Sequence, residues 1–311
     1  MSGIANYADK LEAANTAYIE SLGSLEDFPG TFNLFADDVG DVDGAGLNIG
    51  YTEDMGQVRV MHPGQSRMFD GMKAFGATYD LEEIYTAHRL ERIRVENDPS
   101  GRIAKGLSRA AGRAMQIVDQ RIWDVLKANT KTGLDGVALI SSSHPTDGST
   151  QSNLSSTALS HAAYRAGKSA MRGFVRENGQ PLDMQPTHLF VPVGSEDVAR
   201  EVTGADKVVA LNNTGAEATS GVVTSTSIRN VYEGDTTVVV TPRMAAGTWF
   251  LMDLSTAGVR PWVYGFGRKP EALLPDPHDE SIKKLAMLEY ILSGDIAQGP
   301  GYWQAIYGKI S

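Results

Sequence analysis

A long polar stretch near the N-terminus constrains the fold of this chain more than any other feature. Residues 11–57 contain ten acidic side chains and no lysine or arginine. Within this stretch, the segment SLEDFPGTFNLFADDVGDVDGAG is rich in glycine and aspartate and keeps neither a helical nor a strand period for long. Such a segment cannot build a core of its own, so we expect an extended arm that takes its order from another surface.

The next stretch, residues 46–95, alternates like β-structure but lacks an obvious apolar face. Its clearest part is EEIYTAHRLERIRV, which is long, polar and aromatic. Strands with two polar faces cannot bury themselves in the core of their own domain. The pattern therefore leaves two alternatives, a surface ribbon or strands that pair with a neighbouring chain.

The remainder has the composition of a globular protein. The 311 residues are 41% hydrophobic and 21% charged, which is enough to bury a sizeable core. No run approaches the roughly 20 apolar residues that a membrane-spanning helix needs, and the N-terminus does not have the pattern of a secretion signal. We therefore expect a protein that is made and used in a cytoplasm, without a membrane. The absence of cysteine excludes disulfides, thiolate metal sites and cysteine enzymes.

Helical periods predict two helices in the N-terminal half. Residues 5–22 place one apolar stripe at helical spacing, namely Tyr7, Leu11, Ala14, Tyr18 and Leu22. Residues 99–129 could form about eight turns, with Asp98 as the cap and Pro99 as the first helical residue. This long helix has a predicted buried edge of Leu107, Ala110, Ala114, Ile117, Arg121 and Val125.

The C-terminal half mixes helices and strands. We predict a helix over residues 156–176, then the buried strand THLFVPVG, followed by a short helix that Ser195 caps and that ends near Val202. Three more strands are predicted within GVVTSTSIRNVYEG, TTVVVTPR and GTWFLMDL, and VRPWVYGFGRKPEALL is also strand-like. Because no regular βαβ rhythm appears, an irregular α+β fold is favoured over a doubly wound sheet.

Charge marks two candidate interaction sites. One is an acidic set in the arm, consisting of Glu26, Asp27, Asp37, Asp38, Asp41 and Asp43. The other is a basic stripe along the long predicted helix, consisting of Arg102, Lys105, Arg109 and Arg113. The two sets can attract each other between copies of the chain, at contacts that salt weakens. Two solvated faces remain the alternative that charge counting alone favours. The basic stripe could also face DNA phosphates, but the net charge of −10 favours non-specific contact at most.

The sequence carries no recognisable catalytic or cofactor site. ADDVGDVDGAG resembles a calcium loop, but Val39 and Gly50 stand where the first and twelfth ligands are required. The six histidines have no metal-ligand spacing, and the SSSHPTD segment is expected to be a polar loop rather than part of a catalytic triad. GFGRKP and GPGYW lack the remaining residues of a nucleotide loop. We therefore expect no metal, no cofactor and no enzyme activity.

Four segments in order resemble the major head subunit family of Mu-like phages. They are SLEDFPGTFNLFADDVG in the arm, the SSSHP loop, PLDMQPTHLFVPVGSEDVAREV in the centre and the tail GDIAQGPGYWQAIYG. Members of this family have the Hong Kong 97-like capsid fold. The resemblance implies an N-terminal arm over residues 1–45 and an extended E-loop hairpin with its base over residues 46–96. A peripheral domain with a long spine helix would follow over residues 97–150, an axial domain over residues 151–258, and a C-terminal return over residues 259–311.

The resemblance also implies a function and partners. The chain would be the major capsid protein of a tailed double-stranded DNA phage or prophage (Caudoviricetes), assembled in the bacterial cytoplasm and residing in the virion. Its partners would be other copies of itself in pentamers and hexamers, a portal, a possible decoration protein and packaged DNA. Because no helical scaffolding segment precedes the arm, a separate scaffold is expected, unless such a segment has been cut away. The alternatives are an encapsulin-type protein compartment and, in another class, a soluble hydrolase with a cryptic site.

Overall fold

The computed structural model of the protein describes residues 2–22, 30–42, 44, 46–52, 74–97, 102–114, 116–146, 149–176, 179–212, 224–256, 258–275 and 287–310. The chain divides into two compact units. The first unit comprises residues 1–48, 78–124 and 263–299, and the second comprises residues 49–77, 125–262 and 300–311. None of the helices in the described ranges is long and apolar enough to cross a membrane.

Helices and strands alternate irregularly along the described chain, which confirms the predicted α+β class. The helices are α1 (Ser2–Leu22), α2 (Arg92–Glu96), α3 (Arg102–Ala114), α4 (Gln116–Ala128), α5 (His161–Arg172) and α6 (Glu196–Gly204). The strands are β1 (Ala36–Asp41), β2 (Leu47–Thr52), β3 (Ala74–Tyr79), β4 (Glu82–Glu91), β5 (His144–Thr146), β6 (Ser149–Gln151), β7 (His188–Pro192), β8 (Lys207–Asn212), β9 (Thr224–Arg229), β10 (Thr237–Thr241), β11 (Trp249–Met252), β12 (Trp262–Leu273), β13 (Met287–Pro300) and β14 (Ile306–Lys309).

In the first unit, helix α1 packs against helix α3 through the stripe that the sequence predicts. Leu11 and Tyr18 are fully buried, and they share a cluster with Leu107 and Ala111 of α3. The ring of Tyr18 lies 5.3 Å from the ring of Tyr290 on β13. Burial of this one face stabilises a helix whose isolated stability in water would be marginal.

These contacts correct one expectation about the arm. The sequence predicted an arm that takes its order from another surface, and for α1 that surface belongs to the same chain, since α1 lies on α3. Strand β1 likewise joins the sheet of its own unit beside β12. Two aromatic anchors fix the approach to β1, since Phe32 packs edge-on to Tyr264 and Phe35 packs edge-on to Trp123. The sequence missed this because the anchors are single aromatics without a helical or strand period.

A four-stranded sheet forms the body of the first unit, in the order β1-β12-β13-β4. Strand β4 pairs antiparallel with β13 over ten residues, from Glu82 opposite Ile296 to Glu91 opposite Met287. The prediction that this polar strand would remain a ribbon or pair with a neighbouring chain is therefore wrong for β4. The chain also turns helical at Arg92, where continued strand was predicted. The tip of the predicted hairpin, residues 53–73, lies outside the described residues.

The long predicted helix is described as two segments, α3 and α4, and its predicted cap at Asp98 and Pro99 lies outside the described residues. Helix α4 ends where the sequence predicts, since Asn129 takes a positive φ of 48° after the last turn. The predicted buried edge is confirmed for Leu107, Ala114 and Val125 but not for its other members. Ala111, Val118 and Ile122 are fully buried, whereas Ala110 and Ile117 are only half-buried.

The second unit is built around a sheet in the order β10-β7-β11-β14. Strand β7 is buried, as predicted, between parallel β10 and antiparallel β11. The predicted strands β9, β10 and β11 are confirmed. Helix α6 follows β7 after one 3₁₀ turn, and Ser195 is at its N-cap but its side chain makes no capping hydrogen bond. Helix α5 begins at His161 rather than at residue 156, since Ser160 Oγ accepts the N–H of Ala163.

Candidate subunit interface

The four residues of the predicted basic stripe lie together on helix α3 and all are exposed. They recur at intervals of three and four residues, which places them on one side of the helix. Arg109 Nε donates a hydrogen bond to the carbonyl of Lys105 on the same helix, at 3.2 Å. No carboxylate in the described part of the chain pairs with Arg102, Lys105, Arg109 or Arg113. The stripe therefore presents positive charge that the subunit does not neutralise within those residues.

An open groove of about 1050 Å³ lies between strand β4 and helices α3 and α4. Its helical wall includes the last two residues of the basic stripe, Arg109 and Arg113. Ile84 and the half-buried Ala110 and Ile117 contribute apolar lining. The predicted apolar edge of the long helix thus partly faces this groove rather than the core.

The acidic side chains of β4 are already engaged within the first unit. Arg121 Nε donates to Glu82 Oε2 at 3.0 Å. Arg268 lies 3.9 Å from Glu83 and 3.3 Å from Asp295. Because Arg121 and Arg268 neutralise these carboxylates, the positive charge of Arg109 and Arg113 dominates the unpaired charge at the groove.

The acidic residues of the arm are only partly described. Asp37, Asp38 and Asp41 lie on strand β1 and are exposed, whereas Glu26, Asp27 and Asp43 lie outside the described residues. After the buried Ala36, every residue of β1 is exposed, so neither face of this strand is covered within the unit. Asp38 Oδ1 accepts the N–H of Gly40 at 2.9 Å, at a point within β1 where Gly40 has a positive φ of 92°. The structure does not bring the three described acids, Asp37, Asp38 and Asp41, onto the basic stripe of the same chain.

The carboxylates of β1 interact electrostatically with the buried phenol of Tyr264 on β12. Burial, and to a smaller extent the carboxylates of Asp38 and Asp37, together raise the pKa of the Tyr264 phenol to about 12. The unfolded chain ionises this phenol near pH 10, so the folded state holds its proton longer. The stability that this contributes is complete below about pH 10 and is lost as the pH rises through about 12.

Changing Asp37 and Asp38 to asparagine is expected to lower the pKa of Tyr264 while leaving it above 10, because burial remains the larger cause. Titration of the tyrosine ¹³Cζ resonances by NMR measures this, with Tyr264→Phe identifying the signal. The amide oxygen of the asparagine that replaces Asp38 can still accept the Gly40 N–H, so this hydrogen bond is kept. An unchanged titration in the double variant would contradict the placement of the acids beside this ring.

The SSSHP segment, whose hydroxyl and imidazole groups could suggest a catalytic site, contributes to a buried cluster around His144. The sequence did not predict this cluster. In the SSSHP segment, His144 is fully buried and stacks flat on Trp303 with ring centroids 4.1 Å apart. His144 Nδ1 lies 2.6 Å from Asp135 Oδ2, and Nε2 lies 3.1 Å from Asn153 Oδ1. The expectation of a plain polar loop is therefore wrong for His144. The only signal in the sequence was a histidine among small hydroxyl residues, which does not specify burial.

Comparison with known proteins identifies what kind of protein has this arrangement. The family model described as phage capsid protein matches residues 77–305, which is more than half of the chain. No curated protein sequence matches.

Solved capsid structures share the fold at low sequence identity. The capsid of bacteriophage JBD30 decorated with minor capsid protein trimers has a TM-score of 0.56 at 17% identity, covering 70% of this chain and 92% of that chain. A structure of Gordonia phage Cozz has a TM-score of 0.55 at 8% identity, covering 93% and 90%. The mature capsid of bacteriophage PhiM1 has a TM-score of 0.55 at 11% identity, covering 91% and 87%. The Hong Kong 97-like capsid fold expected from the sequence is thus confirmed, and the chain belongs to the phage capsid protein family.

Proposed function

We propose that this chain is the major capsid protein of a tailed double-stranded DNA phage of the Mu-like type. Copies of the chain form pentamers and hexamers of an icosahedral head that encloses the genome. The observation that carries this proposal is the family match over residues 77–305, together with capsid structures that align over about nine tenths of both chains. The sequence segments shared with Mu-like head subunits support the narrower assignment.

The first unit has exposed sheet edges that neighbouring copies could cover in an assembly. Its sheet ends in β1 on one side and in β4 on the other within the described strands, and a groove lies beside β4. Exposed sheet edges are a liability for a free monomer because they offer unpaired backbone groups. In a shell, each such edge has a neighbouring copy to cover it, and subunits of obligate assemblies bury large surfaces in this way.

The division into capsid parts follows from the same proposal. Residues 1–45 are the arm, residues 46–96 the E-loop and its base, and residues 97–150 the peripheral domain with the spine helix α3–α4. Residues 151–258 are the axial domain, and residues 259–311 are the C-terminal return. A separate scaffold, a portal and a possible decoration protein are the partners such a head requires. DNA contacts the shell through non-specific electrostatic attraction.

Self-assembly is the direct test of the proposed function. The purified chain is expected to sediment as capsomers or megadalton particles in analytical ultracentrifugation across a series of protein and salt concentrations. Cryo-electron microscopy of those fractions should show rings of five and six subunits. A monomer or small oligomer under every condition would overturn the proposal and favour a soluble hydrolase. Particles isolated from the native host that hold a cargo protein in place of DNA would instead indicate an encapsulin-type compartment.

A further inference from the structure

The two edge strands of the sheet in the first unit differ in charge and in surroundings. Among the described strands, β1 is one edge of the order β1-β12-β13-β4, and β4 is the opposite edge. Strand β1 exposes Asp37, Asp38 and Asp41 and has no cover on either face. An uncovered edge strand of this kind offers a row of unpaired backbone groups with which a strand of another chain can form hydrogen bonds.

The β4 edge has the shape of an acceptor for a strand. Five consecutive residues of this strand, from Glu82 to Thr86, line the groove. Successive side chains of a strand point to opposite faces, so a groove that touches every residue in a row runs along the edge of the strand. An extended segment placed there would continue the ladder and cover the half-buried Ala110 and Ile117.

Charge selects which segment fits. Arg109 and Arg113 line the groove without a carboxylate partner among the described residues, and Arg102 and Lys105 continue the stripe beyond it. From residue 102 to residue 113 the stripe rises roughly 16 Å along the helix. Asp37 and Asp41 are separated by roughly 13 Å along their strand. The two carboxylates therefore match the basic stripe in sign, and their separation fits within its length.

We propose that β1 of one copy adds to β4 of the next copy, with the carboxylates of Asp37 and Asp41 facing the basic stripe of α3. The inference rests on the proposed function and names the surface by which copies join. Because two different edges meet, the contact is head-to-tail, and a head-to-tail contact closes into a ring when its rotation fits. Each subunit in such a ring donates one acidic edge and accepts another. The sheets of neighbouring subunits then form a continuous ladder around the ring.

Charge exchange tests the proposal. One variant, Asp37→Lys with Asp41→Lys, makes both edges basic, and a second, Arg109→Glu with Arg113→Glu, makes both edges acidic. Asp38 is left unchanged because it holds the Gly40 N–H. Each variant alone is expected to lose at least about tenfold in the yield of rings and shells, because like charges would face each other at every contact. A chain carrying all four substitutions restores opposite edges and is expected to recover assembly.

Mixing the two double variants gives a sharper result. An all-basic subunit can contact only an all-acidic subunit at either edge, so the two must alternate around a ring. Alternation closes with six subunits but not with five. The mixture is therefore expected to form hexamers or open strips without pentamers, whereas the fourfold variant forms both. Native mass spectrometry and electron microscopy distinguish these outcomes.

Matched controls separate this contact from a general effect of charge. Asp197→Lys with Glu201→Lys on helix α6 makes the same change in net charge at exposed positions, and Arg165→Glu with Arg172→Glu on helix α5 mirrors the acidic variant. Both controls are expected to assemble like the unchanged chain, and circular dichroism with urea unfolding verifies that every variant is folded. Full assembly of both double variants, or pentamers in their mixture, would overturn the proposed contact. If the unchanged chain itself fails to assemble, the proposed function fails instead.

Discussion

Replacing Asn153 by alanine is expected to lower the free energy of unfolding by about 4 kcal/mol. The Asn153 side chain is fully buried and serves four partners. Its Nδ2 donates to the carbonyls of Leu139 and Trp303, and its Oδ1 accepts the N–H of Ser141 and faces Nε2 of His144. Alanine removes all four hydrogen bonds from a largely buried cluster, at about 1 kcal/mol or more for each bond. Urea unfolding followed by tryptophan fluorescence measures the loss.

A neighbouring position provides the control for this prediction. Ser152 is exposed, and its hydroxyl accepts one long hydrogen bond from the N–H of Leu154. Ser152→Ala is expected to change the free energy of unfolding by less than about 1 kcal/mol. If the two alanine variants unfolded at the same urea concentration, the cluster around His144 would not be the structural centre that its geometry indicates.

Replacing Gly308 by alanine is expected to lower the free energy of unfolding by about 3 kcal/mol. A Cβ at this position would lie 2.1 Å from the carbonyl oxygen of Trp249 and 2.8 Å from Cδ1 of Phe250. Gly308 also exchanges backbone hydrogen bonds with Asn153 and Ser155 on its other side. Gly308 is therefore held between β11 and residues 153–155, so the added methyl group forces strain in a packed core. Thermal unfolding by calorimetry measures the effect.

Gly204 is the matched glycine for comparison. It ends helix α6 in the same unit, and a Cβ there would meet no atom within 4 Å. Gly204→Ala is expected to leave the melting temperature unchanged or slightly higher, because alanine loses less conformational entropy on folding than glycine. A loss of stability at Gly204 as large as that at Gly308 would show that crowding at β14 is not the cause.

Local periods in the sequence predicted the elements that are stabilised by their own pattern. The stripe containing Leu11 and Tyr18 specified helix α1, and the apolar run of β7 followed by acidic residues specified a strand that passes directly into helix α6. These predictions succeeded because period and local polarity indicate helix or strand without knowledge of the partner. The basic stripe was predicted for the same reason, since residues three and four apart share a helix face.

Elements that depend on a distant partner were predicted poorly. The helix expected to start at residue 156 begins only at His161, because the preceding residues are held by other elements. Ser155 N–H donates to the carbonyl of Gly308, and Trp249 Nε1 donates to the carbonyl of Thr157. Strand β4 looked unable to bury itself, yet it pairs with β13, about 200 residues later in the chain. No local period carries information about a partner at that distance.

The sequence by itself determined that the chain is a cysteine-free α+β protein with a basic helix face, an acidic arm and the segments of a phage head subunit. Only the tertiary structure decided where each polar strand finds its hydrogen bonds, that His144 is buried, and that part of the apolar edge of the long helix lines an open groove. The physical reason is that the side-chain pattern depends on residues that are close in the sequence. Strand pairing and burial depend instead on which distant segments of the chain pack together.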